Sequence, residues 1–104
     1  MTKREIVIDV SQDPNIKLNQ QEIMDVLQAS LESITLALAR GETVELRNFG
    51  VFEVVIRKSR IGRNPRNPEI DVPIPAKAIV KFRSGKEMRD QVGKLPSSDF
   101  DANA

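Results

Sequence analysis

Cysteine, histidine, tryptophan and tyrosine are all absent from this chain. Without Cys, disulfides and thiolate metal sites are excluded. Without His, the commonest metal ligand and the ordinary general base at neutral pH are gone. Four Phe are the only aromatics. No apolar run approaches a membrane span, and the N-terminus carries no apolar stretch of secretory-signal type. The carboxylates are scattered, with no paired acid–base motif, and no Walker-type glycine loop is present. What is there is ordinary for a soluble domain: 104 residues, 39% hydrophobic and 30% charged. That length allows one small, thin core, which oligomerisation would reinforce. The expectation is an intracellular, non-redox protein that is not an enzyme and needs no cofactor, metal or small-molecule substrate.

The net charge of +1 conceals a segregation of sign. Residues 1–46 carry four Lys/Arg against eight acids, whereas residues 47–94 carry twelve against five. Asp99 and Asp101 follow in the last ten residues. A basic half of this kind points to an anionic partner, nucleic acid first, although a clustered but merely solvated surface gives the same arithmetic.

Thr2-Lys3-Arg4-Glu5 has capping-box spacing, with Met1 and Ile6 placed as a hydrophobic staple. It opens a short helix to about Gln12, although the β-branched run Ile6–Val10 also suits a strand. Asp13-Pro14-Asn15 breaks the chain. Asn19 and Glu22 make a second box, stapled by Leu18 against Ile23. From there Ile23, Leu27, Leu31, Ile34 and Leu38 draw one apolar helical stripe, which Gly41 ends. Strand patterning follows: Val44 and Leu46 alternate, Arg47-Asn48 is a turn, and Phe49 to Arg57 is rich in β-formers. Ile70 to Ile74 alternates too, but Pro73 and Pro75 confine it to an edge or irregular strand. Ala78 to Phe82 is another short strand. Ser84 and Glu87 have capping-box spacing for a last short helix closed by Gly93. Residues 95–104 read as a disordered acidic tail.

Between the strands, residues 57–69 hold one Ile, five cations and two prolines, and cannot bury themselves in a core. They are expected to form a hairpin arm, about 57–75, projecting from the body. Alternation along its ribbon would put Val55, Arg57 and Ser59 on one face. Arg57, Lys58, Arg60, Arg63 and Arg66 can neutralise phosphates, and arginine suits the electronegative minor groove. A proline at an arm tip is rigid, apolar and lacks an N–H, so it can wedge between base pairs and kink a duplex. The plain alternative is a flexible, solvated loop.

Three motifs in order decide between these. Phe49-Gly50-Val51-Phe52, Gly62-Arg63-Asn64-Pro65 and Phe82-Arg83-Ser84-Gly85-Lys86 resemble the hallmark series of the HU/IHF family of bacterial histone-like, DNA-bending proteins. The resemblance covers about residues 1–93. Kinking of the duplex from the minor groove is itself a property of these proteins. The resemblance implies an α+β fold forming an intertwined homodimer, with a helical base, a β-saddle and two protruding β-hairpin arms. It makes residues 1–94 one DNA-binding domain. Pro65 matches the intercalating proline; Arg60, Arg63, Asn64 and Arg66 fall on the groove-lining arm, Arg57 and Lys58 on its base. Lys77, Lys81, Arg83 and Lys86 fall on the saddle and the start of the last helix, while Phe49, Phe52 and Phe82 match the aromatic core of the dimer. The implied partners are double-stranded DNA and a second copy of the chain, without a membrane, in the cytoplasmic nucleoid. The implied role is architectural: bending and compacting duplex DNA with little sequence preference.

The sequence departs from the family pattern in places. Val55 replaces a common cation, and Arg47-Asn48 replaces small residues before Phe49-Gly50. Arg47 either reaches DNA, as in site-preferring IHF-like members, or is solvated. Pro68 replaces a glycine after the tip, and the returning strand is one residue longer. The connection from Gln12 to Leu18 is long and lacks a glycine. Asp99 and Asp101 either compete with DNA for the arms or form an inert tail. A module whose basic hairpin docks on an acidic protein remains the reading from a different class.

Overall fold

The computed structural model describes residues 1–97, the side chain of Pro68 excepted. Most of the acidic tail, residues 98–104 with Asp99 and Asp101, therefore lies outside the described residues. Eight elements run in the order α1 (Lys3–Ser11), α2 (Gln20–Ala39), β1 (Val44–Leu46), β2 (Gly50–Arg57), β3 (Arg60–Asn64), β4 (Asn67–Ile74), β5 (Lys77–Ser84) and α3 (Lys86–Val92). The chain divides into two compact units, Met1–Arg40 and Gly41–Ala104.

The first unit is a helical hairpin. Residues 6–10 are helical rather than extended, the tertiary partner α2 overriding their β-branched preference. Thr2 caps α1, its Oγ1 accepting from the Glu5 N–H at 3.3 Å. The staple expected of Met1 does not form a cover, because Met1 is 86% exposed. At Asp13 the carboxylate accepts from the Asn15 N–H at 2.9 Å, an Asx turn that ends the first helix's path. The box opening α2 is complete: the Glu22 N–H donates to Asn19 Oδ1 at 2.8 Å, and the Asn19 N–H to Glu22 Oε1 at 3.1 Å. Beyond the helix end, Gly41 takes the left-handed conformation, φ 81°. Val7 and Ile23 are the buried apolar side chains of this unit. Leu31, on the expected stripe, is exposed, and so are Val26 and Leu36 outside it.

The second unit holds two antiparallel sheets, one ordered β1-β2-β5 and the other formed by β3 and β4. The β1–β2 hairpin turns through Arg47, Asn48 and Phe49, with the Phe49 N–H donating to the Leu46 carbonyl at 3.0 Å. Asn48 sits at φ 68°, a left-handed position that Asn tolerates better than most residues. The β2–β5 ladder runs unbroken from Gly50↔Ser84 to Arg57↔Lys77, making β5 longer at both ends than its apolar run suggests. Ser84 is thus the last ladder residue and not a helix cap. The N-cap of α3 is Gly85, which has no side chain to make a cap bond, and its N–H donates to the Phe49 carbonyl at 2.7 Å.

The motif glycines are places of close approach. A Cβ on Gly50 would lie 2.5 Å from the Phe82 ring and 2.7 Å from the Arg83 carbonyl oxygen. One on Gly85 would meet the Asn48 carbonyl at 2.7 Å. These contacts let Phe82 settle over β2, with its ring centroid 4.7 Å from Phe52 and 5.8 Å from Phe49. The aromatic cluster is therefore real, yet Phe49 and Phe82 remain roughly half-exposed in a single chain.

Candidate nucleic-acid interface

Direct cross-strand partners share a face of an antiparallel sheet, so the register sorts the side chains. One face of β1-β2-β5 carries Phe52, Val54, Ile56, Ala78, Val80 and Phe82. The other carries Val51, Glu53, Val55 and Arg57 on β2, and Ile79 with Lys77, Lys81 and Arg83 on β5. One surface is apolar and the other is cationic at its edges. Arg57 and Lys77 stand opposite each other at the end from which the arm departs. Lys58 and Ser59 lie between β2 and β3, outside both strands, so the expected alternation of Val55, Arg57 and Ser59 on one face stops at Arg57.

The arm is a two-stranded ribbon, as its composition implies. Its register pairs Arg60↔Ile74, Ile61↔Pro73, Gly62↔Val72 and Arg63↔Asp71, then jumps to Asn64↔Asn67. The jump leaves Pro68, Glu69 and Ile70 without partners, an irregularity in the pairing of the returning strand. Pro73 is tolerated because β4 pairs on one side only. At the tip Pro65 and Arg66 form the connection between the strands, and Asn64 Oδ1 accepts from the Arg66 N–H at 2.9 Å. The Asn64 side chain thus braces the turn that displays Pro65. Arg60 and Arg63 fall on opposite faces of the ribbon, three residues apart in a period of two. Ile61 is 72% exposed on the same face as Arg63.

The remaining expected site residues are spread more widely. Arg47 lies on the β1–β2 turn beside α3, lining with Asn48, Phe49, Glu87 and Met88 a shallow cavity of about 420 Å³. Lys86 is the first residue of α3. Two acids escaped the sequence reading. Glu53 lies on the cationic face, opposite Lys81, and its Oε1 is 3.2 Å from the Arg83 Nε. Asp71 stands opposite Arg63 on the arm. Period-two alternation from Arg57 back through Val55 places Glu53 on that face, but only the β2–β5 register brings it to Arg83.

A helical hairpin, a sheet with one cationic face and a basic two-stranded arm now stand in one chain, with the hallmark motifs at the sheet, tip and helix start. The family model described as bacterial DNA-binding protein matches residues 1–93. The chain belongs to the HU/IHF family. It is 42% identical over 89 residues to a probable DNA-binding protein HU of Chlamydia pneumoniae, covering 86% of this chain and 87% of the relative. The corresponding protein of Chlamydia trachomatis gives the same figures. Among solved structures, an Anabaena HU–DNA cocrystal structure is similar with a TM-score of 0.81 and 36% identity, over 91% of this chain and all of that one. An HU variant from Thermotoga maritima follows at a TM-score of 0.60 and 28% identity, over 88% of this chain and 99% of that one. The α+β class and the HU/IHF type of fold expected from the motifs are those found. The family is one of DNA-binding proteins rather than enzymes. Among the described residues no group of acidic side chains is gathered to hold a metal, and no helix is long and apolar enough to cross a membrane.

Proposed function

We propose that this HU/IHF-family protein is an architectural component of the bacterial nucleoid that binds double-stranded DNA as a homodimer, bends it and compacts it with little sequence preference. The observation that carries this reading is the basic ribbon ending in Pro65, continuous in sequence at both ends with the cationic face of the sheet. Residues 1–94 act as one DNA-binding domain. Affinity comes from phosphate neutralisation and the counterions it releases. Arg57 and Lys58 serve at the base of the arm, and Arg60, Arg63, Asn64 and Arg66 along it. Lys77, Lys81 and Arg83 hold phosphates on the sheet, Lys86 holds one at the start of α3, and Arg47 reaches the backbone from its turn. Pro65 enters a base step from the minor groove and kinks the duplex there; the second copy supplies the symmetric kink.

The apolar sheet face supports the dimer. Ile56 and Val80 are 66% and 54% exposed in the single chain, which a lone soluble domain rarely tolerates on one continuous face. The chain's likeness to the probable DNA-binding proteins HU of Chlamydia supports a place in the cytoplasmic nucleoid.

A salt titration followed by fluorescence anisotropy tests the proposal, using intact and nicked duplexes of two unrelated sequences. Steep, similar slopes with tighter binding to the nicked form are expected. Strong discrimination between the sequences would replace this reading with an IHF-like, site-preferring one. No binding to any duplex at low salt would overturn both and turn attention to an acidic protein partner.

A further inference from the structure

The cationic face of the β1-β2-β5 sheet contains an anion where a DNA-binding surface has least use for one. Glu53 sits mid-strand on β2, opposite Lys81, and its carboxylate holds the Arg83 guanidinium at 3.2 Å. The glutamate side chain is 25% exposed, against 61% for the arginine, so the carboxylate is the better anchored of the pair. Glu45 shares this face through its pairing with Val51, but it lies on the far side of β2 from β5. Glu53 is therefore the carboxylate that Arg83 answers to.

An exposed ion pair of this kind adds little to fold stability, because solvent screens it and both side chains lose freedom. Its consequence for a polyanionic ligand is larger. A carboxylate and a phosphate are the same kind of forked acceptor, and Glu53 engages the Nε edge of the Arg83 guanidinium, so a phosphate docking on that edge competes with it for the Nε–H. A phosphate that takes this same edge displaces the carboxylate and leaves an anion facing the incoming backbone.

Resting on the proposed DNA binding, we infer that Glu53 is a built-in competitor for phosphate at Arg83, weakening the hold of the sheet on duplex DNA. Removing its charge frees the guanidinium in advance and removes the repulsion. It also spares the uptake of a counter-cation by the abandoned carboxylate, so net ion release on binding rises.

A double-mutant cycle on the full chain tests this, with Glu53→Gln, Arg83→Gln and the double variant titrated against one random-sequence duplex by anisotropy. Glu53→Gln should tighten binding about three- to tenfold near 0.1 M salt and steepen the salt slope by up to about one unit. In the Arg83→Gln background the same change should gain less than about twofold, the non-additivity expected of side chains in contact. Unchanged or weaker binding by Glu53→Gln would overturn the inference, as would an equal gain in both backgrounds, which marks a mere change of net charge. If Gln disturbs the sheet, seen as a lost cooperative melt, Glu53→Thr supplies the neutral side chain in a residue that favours strands. Failure of the unsubstituted protein to bind any duplex would instead remove the functional reading itself, before any variant is compared.

Discussion

At the scale of single residues, the family motifs divide into those that shape the body and those proposed to meet DNA. Gly50 belongs to the first group, since a methyl there meets both a ring and a backbone oxygen that the ladder holds in place. Gly50→Ala should destabilise the protein by about 1–3 kcal/mol, the usual cost of overpacking, and urea unfolding would show it. An unchanged midpoint would mean that Phe82 can swing clear. Pro65 is proposed for the second group, since it lies in the tip connection that the Asn64 side chain braces. Pro65→Ala should reduce duplex bending, read as energy transfer between end-labelled fluorophores, far more than it reduces affinity. A loss of affinity with bending intact would remove the wedge role. The three motifs were legible in the sequence because each depends on residue type at fixed spacing. The Glu53–Arg83 pair was not, because it depends on which β2 residue stands beside which β5 residue.

At the scale of elements, local signals were legible wherever a short-range contact fixes the structure. The Asn19–Glu22 box is one example, its two hydrogen bonds spanning only three residues. Asn19→Ala should lower stability by about 1 kcal/mol, measured by thermal melting, through loss of that cap. Ser84–Glu87 has the same spacing and yet is no box, because Ser84 is committed to Gly50 across the ladder and Gly85 to the Phe49 carbonyl. Tertiary pairing there overrides a local pattern that sequence alone cannot rank. The arm shows the same limit: its existence follows from composition, but its irregular pairing and the split of its arginines between two faces follow only from register. Replacing Arg60 and Arg63 together with Ala should weaken binding to all duplexes and flatten the salt slope by roughly one unit per lost phosphate contact. The single variants then separate the faces. If both faces of the ribbon meet the groove walls, each flattens the slope; if one alone does so, the other arginine faces solvent.

At the scale of the whole molecule, the apolar residues outnumber the places a single chain has to hide them. Val26, Leu31 and Leu36 on α2, and Ile56, Val80 and Phe82 on one sheet face, are all more than 40% exposed. Burying a side chain of this size contributes about 1.5–3 kcal/mol, so leaving them all in water forfeits much of what a small domain has to stabilise it. The amphipathic stripe of α2 was legible as a stripe, but nothing in its period tells a core within one chain from an interface between two. If a second copy covers these faces, it binds the folded state alone, and folding and association become one equilibrium. The melting temperature should then rise with protein concentration, and sedimentation should give twice the 11.7 kDa chain mass. Val80→Asp places a carboxylate in the middle of the apolar sheet face. An unpaired charge buried at an interface costs several kcal/mol, so this variant should dissociate or unfold at concentrations where the unsubstituted protein is intact. A concentration-independent melt with a monomeric mass would mean that one chain folds with this face in water. The symmetric pair of arms, and with it the double kink, would then have no basis.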